Sequence, residues 1–411
     1  MPSSALVHTT LLDAPAVAPA RPGLVAPPPV AVAAKPAFHV DQLDGLRGLA
    51  ALFAVTFHYL AGLGVHWRAV AAFQSFLGVS PVSVDTFFIL SGFLIGSILL
   101  RAKDSPNYYK TFYMRRVYRI LPLYYAWIAL YVALFLIRGG WGLTRPAGYA
   151  TPFVFASFVL MVQNFFPSII ESTYIVAPTW SLALEEHFYL IAPFCVRRFS
   201  RRALGRLLAG VIVLAPLFRA LIFSFGGHDD AWRQVATYTW TPCHADALAL
   251  GVLLAIAWGS LEKRTWLCDY SRLLPWAMLA LTGIALALGH LDRAQVAHAN
   301  ILNASLGRSA VEVSGLCLLI FVLVRPEGRF CGLLRTRFLR ETGKVSYCLY
   351  VVHWGMLWMV SRFLFHRTFG SSPWVDSTTA LIALGLSYLV SLMSWQFLEH
   401  PFIRRAHRYT F

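Results

Sequence analysis

The sequence predicts an all-α, polytopic membrane protein of about ten transmembrane helices with both termini cytoplasmic. Three observations carry that expectation. Hydrophobic residues make up 58% of the 411-residue chain and charged residues only 13%, whereas a soluble globular protein has about a quarter charged. Mean hydropathy is +0.60. Apolar stretches of about 20 residues recur from Asp44 to the C-terminus, each long enough to cross ~30 Å of hydrocarbon. These runs lack the two-residue alternation of a membrane β-barrel, and only helices or closed barrels satisfy their backbone hydrogen bonds inside lipid.

Taken in order, residues 1–38 are rich in Ala, Pro and Val, as in Ala26-Pro27-Pro28-Pro29. Frequent prolines oppose a stable helix, so a disordered cytoplasmic tail is expected. No basic segment precedes a compact apolar stretch, so the tail does not read as a signal peptide. The membrane domain is expected over 39–405 and a short cytoplasmic tail over 406–411. The expected spans are Asp44–Gly64, Val82–Arg101, Leu121–Ile137, Trp180–Val196 and Leu204–Phe225, then Cys243–Gly259, Leu273–Gly289, Gly307–Val324, Val345–Phe365 and Thr378–Leu398. An eleventh apolar run, Pro152–Phe166, leaves the count ambiguous until charge is considered.

Positive charge collects in cytoplasmic loops. With the N-terminus inside, the loop after the second span holds Arg101, Lys103, Lys110, Arg115, Arg116 and Arg119. The next basic connection, Arg197 to Arg206, stays inside only if Pro152–Phe166 does not cross and lies instead as a re-entrant or interfacial segment. Later basic loops around Lys263, Arg335 and Arg404 then also fall inside, whereas external loops hold isolated residues such as Arg68, Arg233 and Arg293. The same rule accounts for the formal net charge of +16, and nucleic acid is not an expected partner. The partner is the lipid bilayer. Six cysteines show no CxxC spacing and fall mostly in or beside apolar runs, reading as apolar fillers, not as a metal site or disulfide framework.

A charge at the bilayer centre costs ~2.5–3.5 kcal/mol on insertion scales, so each one asks for a partner, a cavity or a function. Arg47 and His58 share the first span, Asp85 lies in the second, Glu185 and Glu186 in the fourth; Asp246, Glu312 and Glu399 are further cases. Eleven residues amount to three helical turns plus about 20°, so Arg47 and His58 point the same way, about 16 Å apart along the axis. In this orientation Arg47 lies near the cytoplasm and His58 lies deep. An elongated cytoplasmic ligand would touch both.

The stretch Asp44–Tyr59, DGLRGLAALFAVTFHY, resembles the signature of acyltransferase family 3, membrane enzymes that modify bacterial surface glycans, antibiotics and related acceptors. Its opening motif is an Arg, ten residues, then a His, which Arg47 and His58 match. The resemblance continues through Val84–Ile95, Phe112–Tyr125, Thr179–Leu190, Ala245–Gly251, Gly343–Trp354 and Phe397–Phe402, in family order over about Val40 to Arg405. Two positions depart from the family pattern. Cys243 and His244 stand where an arginine often precedes the Asp-x-Leu-x-x-Gly block, and Trp354-Gly355 stands where a proline often follows the later histidine.

The resemblance implies that His58 is the catalytic base and that Arg47 helps hold the donor, acyl-coenzyme A, most simply acetyl-coenzyme A. No metal is expected. A thioester is already activated, so the chemistry needs a base for the acceptor hydroxyl and stabilisation of an oxyanion. An imidazole with its ordinary pKa near neutrality suits the first task. Arg115, Arg116 and Arg119 are placed to meet the coenzyme's phosphates, or to serve as a topology signal beside anionic lipid. Asp85 is a candidate to orient His58 or to pair with Arg47. Glu185 and Glu186 are ~100° apart on one helix, so no more than one is expected to face the His58 cavity. Trp180, Tyr347 and His353 are candidate substrate contacts, with structural pairing the alternative for His353. Ser91-Gly92 lets helices approach closely.

The expected function is therefore O-acyl transfer from cytoplasmic acyl-coenzyme A to a hydroxyl of a sugar, glycolipid or related acceptor, in a bacterial inner membrane. Direct transfer and a transient acyl-His58 intermediate are both open. The rival readings are a proton-coupled transporter using the buried carboxylates, and a non-catalytic glycan or lipid export partner.

Overall fold

A computed structural model describes residues 40–63, 81–137 and 151–411 apart from positions 226, 228, 368, 370 and 371. The expected N-terminal tail, the Gly64 end of the first expected span and Arg68 lie outside the described residues. Among the described residues there is no strand. The helices, in order, are α1 (Asp41–Leu63), α2 (Pro81–Ala102), α3 (Tyr108–Ile137), α4 (Thr151–Val159), α5 (Pro167–Ser172), α6 (Trp180–Arg198), α7 (Arg201–Phe225) and α8 (Asp230–Thr239). They continue with α9 (Thr241–Trp258), α10 (Leu261–Asp269), α11 (Leu274–Arg293), α12 (Ala299–Val324), α13 (Arg329–Leu334), α14 (Arg337–Met359) and α15 (Pro373–Ala406).

Seven described helical segments are long and apolar enough to cross a membrane: α2, α3, α7, α8 with α9, α11, α12 and α15. The helices α1, α6 and α14, of 23, 19 and 23 residues, are not among those seven. They carry Arg47, His58, Glu185, Glu186 and His353. The outer helices have the opposite character. On α7 the side chains of Val213, Leu214 and Leu217 are exposed, and α11 buries only Ala285. Continuous exposed apolar stripes of this kind suit a hydrocarbon solvent.

Glycines bring the central helices into backbone contact. A Cβ on Gly45 or Gly48 of α1 would overlap the Leu334 or Leu339 carbonyl, and one on Gly343 of α14 would overlap the Asp44 carbonyl. Gly92 of α2 meets Leu248 and Gly251 of α9 in the same way. Small residues at helix crossings replace the missing hydrophobic drive between helices in lipid with close van der Waals packing. The pairs α1 with α14 and α2 with α9 are consequently the most extensive packings.

Several expected boundaries move, among them the starts of the last three spans, to Ala299, Arg337 and Pro373, and two changes bear on the site. The span expected from Leu121 begins at Tyr108 and runs 30 residues, so Arg115, Arg116 and Arg119 are helical, not in a loop. Arginine is a good helix former, and its long stem lets the charge reach the surface from a helix. The run Pro152–Phe166 forms only the nine-residue α4, a left-handed turn at Met161 and a single 3₁₀ turn at Gln163–Phe165. Nine residues rise about 13 Å, under half the hydrocarbon thickness. Tyr124 Oη donates to the Phe158 carbonyl, Gln163 to that of Thr179 and Asn164 to that of Thr239. All six cysteines are free thiols: Cys243, Cys331 and Cys348 are buried, whereas Cys268 is exposed.

Candidate active site

Packing of α1 on α14 sets His58 beside His353. His58 Nδ1 is 3.0 Å from His353 Nε2, and His353 Nδ1 is 2.6 Å from the Tyr350 carbonyl oxygen. A carbonyl only accepts, so His353 Nδ1 carries the ring proton and its Nε2 is the acceptor. His58 Nδ1–H therefore donates, and the lone pair of His58 is at Nε2. The relay holds His58 in the tautomer of a base. His353 is fully buried, and its carbonyl accepts from Tyr59 Oη at 2.8 Å, which also contacts Ser387 of α15 at 3.1 Å. His58 itself is only partly buried. The Trp354 indole lies edge-on to it with centroids 5.2 Å apart and meets Tyr174 at 4.1 Å. Gly355, at the second departure from the family pattern, packs so tightly on Trp127 that a Cβ there would overlap the ring.

A second cluster lies toward the other end of α1. Arg47 Nη1 is 3.2 Å from Asp44 Oδ1 and interacts electrostatically with Arg116, Arg119 and Tyr189. Glu185 Oε1 accepts from Ser91 Oγ at 2.8 Å and Oε2 from Tyr189 Oη at 2.9 Å. The Arg116 guanidinium lies over the rings of Tyr189 and Phe112 at 5.7 and 5.9 Å. Glu185 and Glu186 both interact with Arg116, and among the described residues no hydrogen bond joins either to His58. Arg119 is exposed, and neither it nor Arg116 has an ion pair among the described residues. Arg115 turns aside. Its Nε donates to the Tyr409 carbonyl at 3.0 Å and its guanidinium covers Phe411. Arg116 and Arg119 thus join Arg47, and Arg115 does not.

Asp85 takes neither expected partner. Helix α2 turns it toward α9, where Asp85 Oδ1 is 2.7 Å from His244 Nε2, both residues fully buried. Arg308 Nη1 points at His244 Nδ1 at 3.2 Å. A guanidinium only donates, so Nε2 carries the imidazole proton and gives it to Asp85. Donor atoms of Asp85, His244 and Glu312 lie within 4.8 Å of one another, a spacing at which a cation could be held. In the tautomer Arg308 imposes, however, Nε2 has no lone pair for a metal. Arg219 fills the cationic role instead: Nη2 is 2.9 Å from Asp246 Oδ2, Nη1 is 3.5 Å from Glu312 Oε1, and it donates to the Cys243 carbonyl. Arginines from α7 and α12 therefore supply the charge that Cys243 and His244 lack. Trp180 packs over this network, 4.7 Å from Tyr238 and 5.5 Å from His244. Tyr347 is held by the Ile120 carbonyl at 2.8 Å.

Arg219 and Arg308 escaped the sequence reading, which named His244 only as a departure from the family pattern. A signal existed, since Arg219 interrupts the apolar α7 and needs a partner there.

The comparisons with known proteins agree in kind. The chain is 26% identical over 388 residues to "O-acetyltransferase OatA" of Staphylococcus aureus, covering 90% of this chain and 58% of the relative. It is 32% identical over 229 residues to "Putative peptidoglycan O-acetyltransferase YrhL" of Bacillus subtilis, covering 54% of this chain and 33% of the relative. Against "Putative O-acetyltransferase SACOL0978" of Staphylococcus aureus it is 23% identical over 395 residues, covering 89% and 57%. The chain thus spans no more than about three-fifths of the length of these relatives. No solved structure matches it. Residues 40–395 match the family model described as an acyltransferase domain, and the chain belongs to acyltransferase family 3.

Proposed function

We propose that the chain is a multi-pass inner-membrane O-acyltransferase that moves an acetyl group from cytoplasmic acetyl-coenzyme A to a hydroxyl of a sugar or glycolipid, peptidoglycan being the first acceptor to try. The observation that carries this reading is the relay from His58 through His353 to the Tyr350 carbonyl, with Arg47 on the same helical face below it. The coenzyme's phosphates meet Arg47, Arg116 and Arg119, and the thioester reaches toward His58 over about 16 Å of helix. The acceptor oxygen attacks the thioester carbonyl while His58 Nε2 takes its proton. The tetrahedral intermediate then expels the thiolate, which recovers that proton from His58, so protons and charge balance. The decisive experiment is incubation of purified protein with labelled acetyl-coenzyme A and peptidoglycan fragments, reading ester-linked acetyl on the sugar. Consumption of neither substrate would contradict the reading.

In this proposal ten helices cross with both termini inside, and the α4–α5 region lies externally. A single cysteine at Ser168, in a chain otherwise free of cysteine, is expected to react with an impermeant maleimide from the outer side. Labelling from the cytoplasmic side alone would require an eleventh crossing.

Arg47→Lys is expected to weaken donor binding nearly as much as Arg47→Ala, about tenfold, because a point charge does not restore a forked phosphate contact. Titration of acetyl-coenzyme A against both variants checks this. Full affinity in the lysine variant would make the contact purely electrostatic.

A further inference from the structure

A cavity of about 470 Å³ opens between the ends of α7, α8, α11 and α12, within the range of small-ligand sites. Its wall mixes apolar and polar groups: Phe223, Ala285 and Val311 line it with Gln234, Asp292, Arg293, Asn300, Asn303, Arg308 and the ring of Tyr238. Polar side chains in a membrane bundle are costly, and where they converge on a cavity they mark a substrate path. The backbone departs from α-helix at the same place. A π turn covers Asn303–Gly307 and His298 adopts a left-handed φ of 62°; π turns concentrate at functional sites.

The cavity lies far from Arg47. From Arg308, the last 17 residues of α12 run about 25 Å to Val324, and only then does α13 reach Gly45 on α1. The cavity wall also continues toward the relay. Tyr238 neighbours Tyr350, whose ring is 5.7 Å from that of His353.

Arg308 decides the ligand class. Its guanidinium lies 4.5 Å over Tyr238, and Nη1 donates to the Thr237 carbonyl at 3.3 Å and to His244. No carboxylate forms an ion pair with it among the described residues. Two guanidiniums, Arg308 and Arg293, stand in the wall with the Asp292 carboxylate, the amides of Gln234, Asn300 and Asn303, and the aromatic face of Tyr238. Amides pair with adjacent hydroxyls, and a guanidinium pairs with carboxylate or phosphate in two parallel hydrogen bonds.

We propose that this cavity binds a carbohydrate carrying an anionic group, the anion on Arg308 and the hydroxyls on the Gln234 and Asn300 amides. Its service as the docking site of the acceptor rests on the acyltransferase reading; sugar binding itself does not.

The test uses the full chain in nanodiscs and saturation-transfer NMR with glucuronic acid, glucose 6-phosphate and glucose as probes. Transfer to one or both anionic sugars is expected, about tenfold stronger than to glucose, and the two probes separate carboxylate from phosphate recognition. Arg308→Gln should reduce the anionic sugars to the level of glucose. Ala304→Trp, which fills the cavity from its wall, should abolish transfer while acetyl-coenzyme A binding, measured in parallel, stays unchanged. Undiminished transfer in Ala304→Trp, or no preference for the anionic probes, overturns the proposal. Sugar binding without donor binding would leave this site standing and remove the acyltransferase reading; donor binding without sugar binding would do the reverse.

Discussion

His58→Ala is expected to lower acyl transfer by about 10²–10⁴-fold, the range a positioned general base supplies. Expression and insertion should stay near normal. His58 is partly buried, and among the described residues its side chain makes one hydrogen bond, to His353, so truncation costs about 0.5–1.5 kcal/mol of stability from that bond. The same geometry predicts a distinct outcome at His353, a positioning residue. In His353→Ala the imidazole of His58 persists but its tautomer is no longer imposed. Turnover should fall while the Michaelis constant for the donor stays level, since Arg47 is untouched. Purified variants assayed against labelled acetyl-coenzyme A distinguish these results, and transfer retained within a few-fold in His58→Ala would remove that residue from the mechanism.

Arg219→Leu is expected to destabilise the fold by about 3–5 kcal/mol. Arg219 is fully buried, with Asp246 and Glu312 both against its guanidinium. Removing the cation leaves two carboxylates facing each other in the bundle, which is worse than never having placed a charge there. Adding Asp246→Asn and Glu312→Gln to Arg219→Leu should recover part of the loss, because the remaining groups are then neutral. Thermal unfolding in detergent measures both. A midpoint unchanged in Arg219→Leu would mean that the network contributes nothing to stability.

Composition and segment length reveal the helical membrane class because lipid forces every apolar run to solve its own hydrogen bonding. The motif spacing likewise places Arg47 and His58 on one face, since both lie on the same helix. Pairings between distant helices are not legible in that way. His353 stands out as a titratable group in a span, yet only the packing of α1 on α14 shows that it holds His58. Asp85 is visible as a buried charge, but its partner His244 lies 159 positions away. Helical periodicity puts Arg115 and Arg119 on one stripe; contact with the C-terminal residues Tyr409 and Phe411 draws Arg115 off it. Hydropathy also leaves α1, α6 and α14 outside the seven apolar segments, because charged and polar side chains interrupt their apolar ones, although α1 and α14 run 23 residues.

In the proposed reaction His58, held by His353, takes the acceptor's proton as an acetyl group passes to a surface carbohydrate. Comparative mass spectrometry of surface glycans and lipids tests it most directly, using cells lacking the gene and the same cells complemented with wild-type or His58→Ala protein. The expected result is a glycan that loses ester-linked acetyl groups on deletion, regains them with the wild type, and stays unmodified with His58→Ala at equal protein level. Restoration of acetylation by the His58→Ala variant, or identical glycans in all strains, would contradict it.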